Sequence, residues 1–298
     1  MSRSLVVEFT KMQGAGNDFL VIDNRWYRFS DAELSDLAAR WCPRRTGVGA
    51  DGLLALSPAE EEDVDFRMRY VNADGSMATM CGNGARCLAR YALSSGFEGP
   101  EVAFATDAGR YRARVQERGA EKESSVPEAP TIRLYVPEAR RVQLDVDLAG
   151  DLPPGLTEAD FVWTGTEHLV LFVEDAEAWP DDEVARWGDR LRHDEALAPD
   201  GANANFVSCS STESGRVQMH VRTFEKGVEA ETPSCGTGVL AAVAAARERG
   251  RTNGSPVDIV TRGGGLRVGT ETSSGSPRMY LEGPVETVFR GTLEVDGH

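Results

Sequence analysis

The chain is poor in lysine. Only Lys11, Lys122 and Lys226 occur among 32 basic residues, which face 48 acidic ones and leave a net charge of −16. Such a surface offers no basic face to a phosphate backbone, which argues against nucleic acid as a partner. It has two open explanations: adaptation to high salt, where self-repulsion is screened, or a base composition that favours arginine codons. Long apolar runs are also missing, and none approaches the length of a membrane span. The opening "MSRSLVVEFTKM" holds three apolar residues in a row before Glu8, unlike a signal peptide. A cytoplasmic protein with no membrane partner is expected. Cysteines number five, an odd count with no C-x-x-C pair, and no histidine lies near Cys81 and Cys87. That pattern fits neither a disulfide framework nor a zinc site, and no metal is expected.

What is present is a repeat. "FRMRYVNADGSMATMCGNGARCLARYAL" and "VQMHVRTFEKGVEAETPSCGTGVLAAVAAA" share one plan. Each opens on a strand-like alternation, Phe66-Met68-Tyr70 and Val217-Met219-Val221. Each passes a polar, Gly-containing loop, reaches Cys-Gly-x-Gly, and runs into a helical stretch. Upstream, "GAGNDFLVID" at 14–23 resembles "GTEHLVLFVED" at 165–175, a glycine and short polar loop before an apolar strand. The chain therefore reads as two copies of one unit of about 150 residues, a common domain size. The weak joint is the charged, non-periodic "ERGAEKESSVPEAP" at 117–130.

After Cys81, Ala85, Leu88, Ala89, Ala92 and Leu93 predict a helix with one buried stripe. After Cys235, residues 239–246 are apolar all round and predict an enclosed helix ending near Gly250. The rest reads as short alternating strands with Gly, Asp or Pro turns. The fold class expected is α+β, with two pseudo-symmetric sheet-rich domains, each wrapped on a central helix. The halves expected are 1–130, completed by a C-terminal strand at 286–298, and 131–285, with the active-site cleft between them.

A cysteine directly before Gly-x-Gly at a helix start has a chemical use. The first backbone N–H groups of a helix lack internal partners and the helix dipole is positive there, so the site favours a carboxylate. The same field stabilises a thiolate. Two such sites facing one bound amino acid would set one sulfur on each side of its α-carbon. One thiolate removes the α-proton while the opposite thiol delivers another, which inverts the centre. Cys42, Cys87 and Cys209 lack this repeated context and are expected to be small packing residues.

These residues resemble the diaminopimelate epimerases, a family of PLP-independent amino-acid epimerases in lysine and peptidoglycan precursor synthesis. "KMQGAGNDFLVID", "NADGSMATMCGNGARC", "ANFV" after Asn203, "EKGVEAETPSCGTG" and the late "GP…FRG" fit its pattern over nearly the whole chain. The resemblance implies Cys81 and Cys235 as the acid/base pair. It implies Asn17, Asn72 and Asn203 as ligands of substrate carboxylate or amino groups. The backbone at Gly82-Asn83 and Gly236-Thr237 would hold the reacting carboxylate, and Glu225 and His168 would orient the substrate amine or the thiols. No cofactor is implied, the partner is a small amino acid, and homodimers are common in the family.

Three positions depart from the family pattern. Gln13 stands for the usual His, Thr166-Glu167 for Asn-Pro, and Lys226 for Arg. Thr166-Glu167 and Lys226 fall where the family reads the distal end of the substrate, so a related amino-acid epimerase with another side-chain specificity stays open. Plainer readings are open too: Asn17 and Asn72 as turn residues, His168 as a core histidine, Lys226 as a solvated loop charge. Rival functions are a PLP-dependent racemase using one of three lysines, a thiol redox sensor, and a non-catalytic amino-acid binding protein.

Overall fold

The computed structural model describes residues 4–116, 130–212, 215–252, 254, 256–273 and 276–296. The expected joint at 117–130 lies outside the described residues except for Pro130, and so does Lys122. Two compact units emerge, Met1–Leu134 with Gly283–His298, and Tyr135–Glu282.

In the first unit, β1 (Ser4–Gly14) and β2 (Asn17–Ile22) form a hairpin. Its turn is Ala15-Gly16, both at positive φ (52° and 84°), as a two-residue hairpin turn demands. Two helices follow, α1 (Asn24–Tyr27) and α2 (Asp31–Trp41). Ser30 and Glu33 close a reciprocal capping box at the start of α2. Strand β3 (Gly52–Pro58) then lies parallel to β2, and β4 (Phe66–Asn72) antiparallel to β3. The short β5 (Met77–Ala78) folds back on β4. Helix α3 (Gly82–Ser94) leads to β6 (Glu101–Thr106), parallel to β4, and β7 (Gly109–Gln116) completes a hairpin with it.

After β8 (Thr131–Val136) and β9 (Arg141–Gln143), the second unit repeats the sequence of events. Strands β10 (Leu156–Trp163) and β11 (Glu167–Val173) form a hairpin, and α4 (Asp181–Arg192) follows. Then β12 (Asn203–Ser211) is parallel to β11, β13 (Val217–Glu225) antiparallel to β12, and β14 (Ala230–Thr232) folds back on β13. Helix α5 (Gly236–Glu248) leads to β15 (Val257–Thr261), parallel to β13, and β16 (Gly264–Ser273) pairs with β15. Strand β17 (Ser276–Pro284) pairs with β16, and β18 (Glu286–Asp296) returns to pair with β1. The α+β class and the internal repeat are as expected.

The two helices differ from each other. Residues 238–246 of α5 are all buried, as their uninterrupted apolar run predicts. Each of Val239, Leu240 and Val243 stabilises the unit by roughly 1.5–3 kcal/mol through burial. The end of α5 is a Schellman turn: Arg251 N–H donates to Ala246 O (2.8 Å) and Gly250 N–H to Arg247 O (2.9 Å). Gly250 adopts the left-handed φ of 69° that this turn requires.

Helix α3 departs from the single stripe expected. Residues Asn83 to Ala89 are buried without a break, including Arg86 at 0% exposure. Hydropathy hides this face because two of its members are polar and bond to each other: Arg86 Nη2 donates to Asn83 Oδ1 at 2.9 Å.

Among the remaining cysteines, Cys42 and Cys87 are packing residues, and burial pushes both thiols up to about 12. Cys209 is not. It lies in the exposed last third of β12, after the strand has left the core.

Candidate active site

Register relates the two units position by position. Phe19 pairs with Gly52 and Gly52 with Asn72; Val170 pairs with Asn205 and Asn205 with Thr223. Asn17 thus corresponds to His168, Gly52 to Asn205, and Asn72 to Thr223. In both units the starts of two parallel strands, the end of the third, and the start of the central helix lie at one end of the sheet. Each Cys-Gly-x-Gly opens at that end.

In the first unit, Cys81 is the N-cap of α3 in extended conformation, and its Sγ accepts from Gly84 N–H at 3.4 Å. The sulfur does the work of a capping oxygen. A rigid polar chain backs this helix start. Asn83 Nδ2 donates to Asn17 Oδ1 (2.5 Å), and Asn17 Nδ2 donates to Asp51 Oδ2 (3.1 Å). Arg44 bridges Asp51 and Asp18, and Lys11 pairs with Asp18 at 2.6 Å. Burial alone would raise the Asp18 pKa, but the bonds and charges of Arg44 and Lys11 hold it well below the usual carboxylate range. Asn17 therefore ties β2 to α3 rather than closing a plain turn. Asn72, in contrast, is a turn residue: its Nδ2 donates to Ser76 Oγ (3.0 Å) and its N–H to Ser76 O (2.9 Å). Arg86 is fully buried, which lowers its pKa, and its Nε meets no partner among the described residues.

In the second unit, Cys235 is the N-cap of α5, is buried, and leaves the helix without a side-chain cap. Its Sγ lies 3.4 Å from the Thr237 hydroxyl. The Thr237 carbonyl accepts from Thr164 Oγ1 at 3.0 Å. Asn205 occupies the centre of this end of the sheet. Its Nδ2 faces Leu169 O (3.0 Å), Asn203 O (3.1 Å) and His168 Nδ1 (3.1 Å), and its Oδ1 accepts from Thr223 Oγ1 (2.9 Å). The two carbonyls fix the amide orientation, so His168 accepts at Nδ1 and carries its proton on Nε2. That Nε2 is buried and has no partner among the described residues. Burial brings the His168 pKa down to about 3, the Asn205 bond opposing it. His168 is thus a buried neutral histidine.

Glu225, the last residue of β13, is half-buried, and burial raises its carboxyl pKa. Asn203 is engaged at both ends: Nδ2 donates to Glu167 O (2.9 Å) and Oδ1 accepts from Lys226 N–H (2.8 Å). Lys226 is not a solvated charge. Its Nζ lies 2.6 Å from Glu167 Oε2, and Thr166 Oγ1 donates to the same oxygen at 3.1 Å. Two of the three departures from the family pattern therefore meet in one cluster.

Sequence reasoning missed Asp51 and Asn205, and it marked Glu167 only as a departure from the family pattern, without its partner. Asp51-Gly52 before an apolar strand was a readable signal for the first. Asn205 and Glu167 acquire their partners only through long-range strand pairing. A cavity of about 420 Å³ in this unit, lined by Arg140, Arg141, Phe161 and Trp163 among others, touches the cluster only through Glu167. It borders neither cysteine. Among the described residues, one grouping has three side chains suited to a metal: Asp189, His193 and Glu229, all exposed. Glu229 there already pairs with Arg192 at 2.6 Å. No described helix is long and apolar enough to cross a membrane.

The family model described as Diaminopimelate epimerase matches residues 9–129 and 161–288. The chain belongs to the diaminopimelate epimerase family. The diaminopimelate epimerase of Methanothrix thermoacetophila is 38% identical over 293 residues, covering 96% of each chain. That of Aquifex aeolicus is 36% identical over 96% of this chain and 98% of its own. Among solved structures, a Bacillus anthracis phenazine biosynthesis protein of the PhzF family superposes with a TM-score of 0.71 at 16% identity, covering 98% of this chain and 100% of its own. A hydroxyproline epimerase from Agrobacterium vitis gives 0.64 at 18% identity, covering 99% and 94%. At such identities these two show a shared fold.

Proposed function

We propose that this chain interconverts L,L- and meso-diaminopimelate by two-base proton transfer between Cys81 and Cys235, without a cofactor. One sulfur, as thiolate, takes the α-proton. The electron pair left on carbon delocalises into the substrate carboxylate. The N–H groups at Gly82-Asn83 and Gly236-Thr237 meet the charge that develops there. The opposite thiol then gives its proton to the other face, becomes the thiolate, and leaves the centre inverted. The observation that carries this reading is the cysteine found twice as the N-cap of a Gly-x-Gly helix, at corresponding places in two units. Holding one sulfur charged and one neutral is a coupled titration of the pair.

In this reading Asn17, Asn83 and Asn203 act mainly by holding the helix starts and the loop at 226 rigid, and Asn17 and Asn203 also face the substrate. Asn72 turns the chain toward Cys81. Glu225 and the neutral His168 flank the second helix start. Lys226 and Thr166 take the distal end of the substrate. The halves, 1–130 with 286–298 and 131–285, act as a cytoplasmic enzyme, as homodimers. The test is incubation with pure L,L-diaminopimelate in the absence of PLP or added metal. The meso form should accumulate to an equilibrium mixture. Stereochemistry that stays unchanged, or activity that a chelator removes and zinc restores, would overturn the proposal.

The alternative, an epimerase of a related amino acid, draws on one observation: the Glu167–Lys226 pair stands where the family has Pro and Arg.

A further inference from the structure

Glu167 has no role in the chemistry above. Its surroundings give it one. The carboxylate binds Lys226 Nζ at 2.6 Å and the Thr166 hydroxyl at 3.1 Å, both through Oε2. Its own backbone N–H adds a further bond, and a carboxylate offers about four acceptor sites in all. Lys226 uses one of its three ammonium donors in this pair. Both side chains are about one quarter exposed (26% and 25%), so a ligand can reach them. Although burial alone would raise the Glu167 pKa, the bond from Lys226 leads the effects that lower it, and the carboxylate is ionised.

The pair is held in place from below. Asn203 binds the backbone of both partners, accepting from Lys226 N–H and donating to Glu167 O. Asn203 in turn receives a bond from Asn205, whose Oδ1 lies against Gly238 in the first turn of the Cys235 helix. The charge pair therefore sits at the same end of the sheet as Cys235, joined to it by a short run of bonded residues. A substrate whose α-carbon lies at the helix start can extend its far end toward that pair.

A lone carboxylate arriving at Lys226 must compete with Glu167 and remain close to it, like charge against like charge. A ligand end that carries an ammonium and a carboxylate exchanges one ion pair for two. We infer that Glu167 is a specificity-determining residue which accepts the distal ammonium of the substrate while Lys226 takes the distal carboxylate. The site is thereby restricted to substrates with a second 2-amino-carboxylate group. This inference rests on the proposed epimerase activity.

The test compares meso-diaminopimelate with 2-aminopimelate, which has both carboxylates and lacks the distal amine. Epimerisation or racemisation of each is followed by α-hydrogen exchange in wild type, Glu167→Gln and Glu167→Asp. Wild type should favour diaminopimelate in kcat/KM by roughly 10- to 150-fold, the range for one charge-assisted hydrogen bond. Glu167→Gln should abolish most of that ratio by losing activity on diaminopimelate while holding or gaining activity on 2-aminopimelate. Glu167→Asp keeps the charge and should keep part of the ratio. Equal losses on both compounds in Glu167→Gln, with wild-type epimerisation intact, would overturn the inference alone. Exchange of neither compound by wild type would overturn the epimerase reading and this inference with it.

Discussion

The two helix starts are one design executed in different materials. In the first unit the position after Cys-Gly is Asn83, locked to Asn17 and Arg86; in the second it is Thr237, whose hydroxyl touches the Cys235 sulfur. The second glycine of each motif meets a different floor. A Cβ on Gly84 would come within 3.1 Å of a Leu54 methyl, while one on Gly238 would lie 2.2 Å from Asn205 Oδ1. Cys81 is half-buried and caps its helix, whereas Cys235 is buried and leaves its helix uncapped. Topology was kept and side-chain environments diverged. Two sulfurs in unlike settings suit a reaction that needs one of them charged and one neutral at every turnover.

The sharpest way to break this comparison is to remove each sulfur. Cys81→Ala and Cys235→Ala should each lower kcat for epimerisation by roughly 10²- to 10⁴-fold, the usual worth of a positioned acid or base. Near-normal turnover in either mutant, measured by the rate of meso product formation, would end the two-base account.

Next come the glycines under the helices. Ala gains about 1 kcal/mol over Gly in helix propensity, and overpacking costs about 1–3 kcal/mol. Leu54 can rotate a methyl away, so Gly84→Ala should change stability by less than about 1 kcal/mol. Asn205 is pinned by contacts at both ends of its amide and cannot yield, so Gly238→Ala should cost about 2 kcal/mol. Urea unfolding of both mutants decides it, and equal losses would refute the unlike floors.

Smaller is a pH effect confined to the second unit. His168 is buried neutral with a pKa near 3 against an ordinary 6.5. The unfolded chain binds its proton first, so the stability tied to neutral His168 is complete above pH 6.5. It is lost progressively as pH falls from there toward 3. The corresponding residue, Asn17, cannot titrate. His168→Asn should therefore remove about one proton from the slope of unfolding free energy against pH between 6.5 and 4. An unchanged slope would mean that His168 is not held neutral.

The smallest effect expected is that of Cys87→Ala. Cys87 is fully buried in α3 with its thiol raised to about 12, out of reach of acid–base work at neutral pH. Epimerisation rates should stay within about twofold of wild type, at a packing cost of about 1 kcal/mol.

Much of this was legible in the sequence because it is local. The helix after Cys235 is written in an unbroken apolar run. The repeat is written in two Cys-Gly-x-Gly segments, each preceded by an alternating strand. What escaped depends on pairing across long separations. Glu167 meets Lys226 only because β11 and β12 run side by side and β13 returns along β12, bringing residues 59 apart together. Asn205 looks like an ordinary strand residue until register sets it between His168 and Thr223. Arg86 inverts the usual rule, a charge on a helix that is buried because Asn83 and the Gly82 carbonyl receive it. Cys209 misleads in the opposite direction, since no local signal tells where a strand leaves the core.

The central claim is that two thiols act on opposite faces of one α-carbon. It is tested most directly by the fate of solvent deuterium during the first few per cent of turnover of L,L-diaminopimelate in D2O. The account predicts one deuterium at the inverted carbon of the meso product and none in the recovered L,L substrate. The delivering sulfur carries a solvent-derived hydrogen, while the one abstracted stays on the other sulfur. Deuterium entering recovered substrate as fast as product would point to a single base serving both faces and would contradict it.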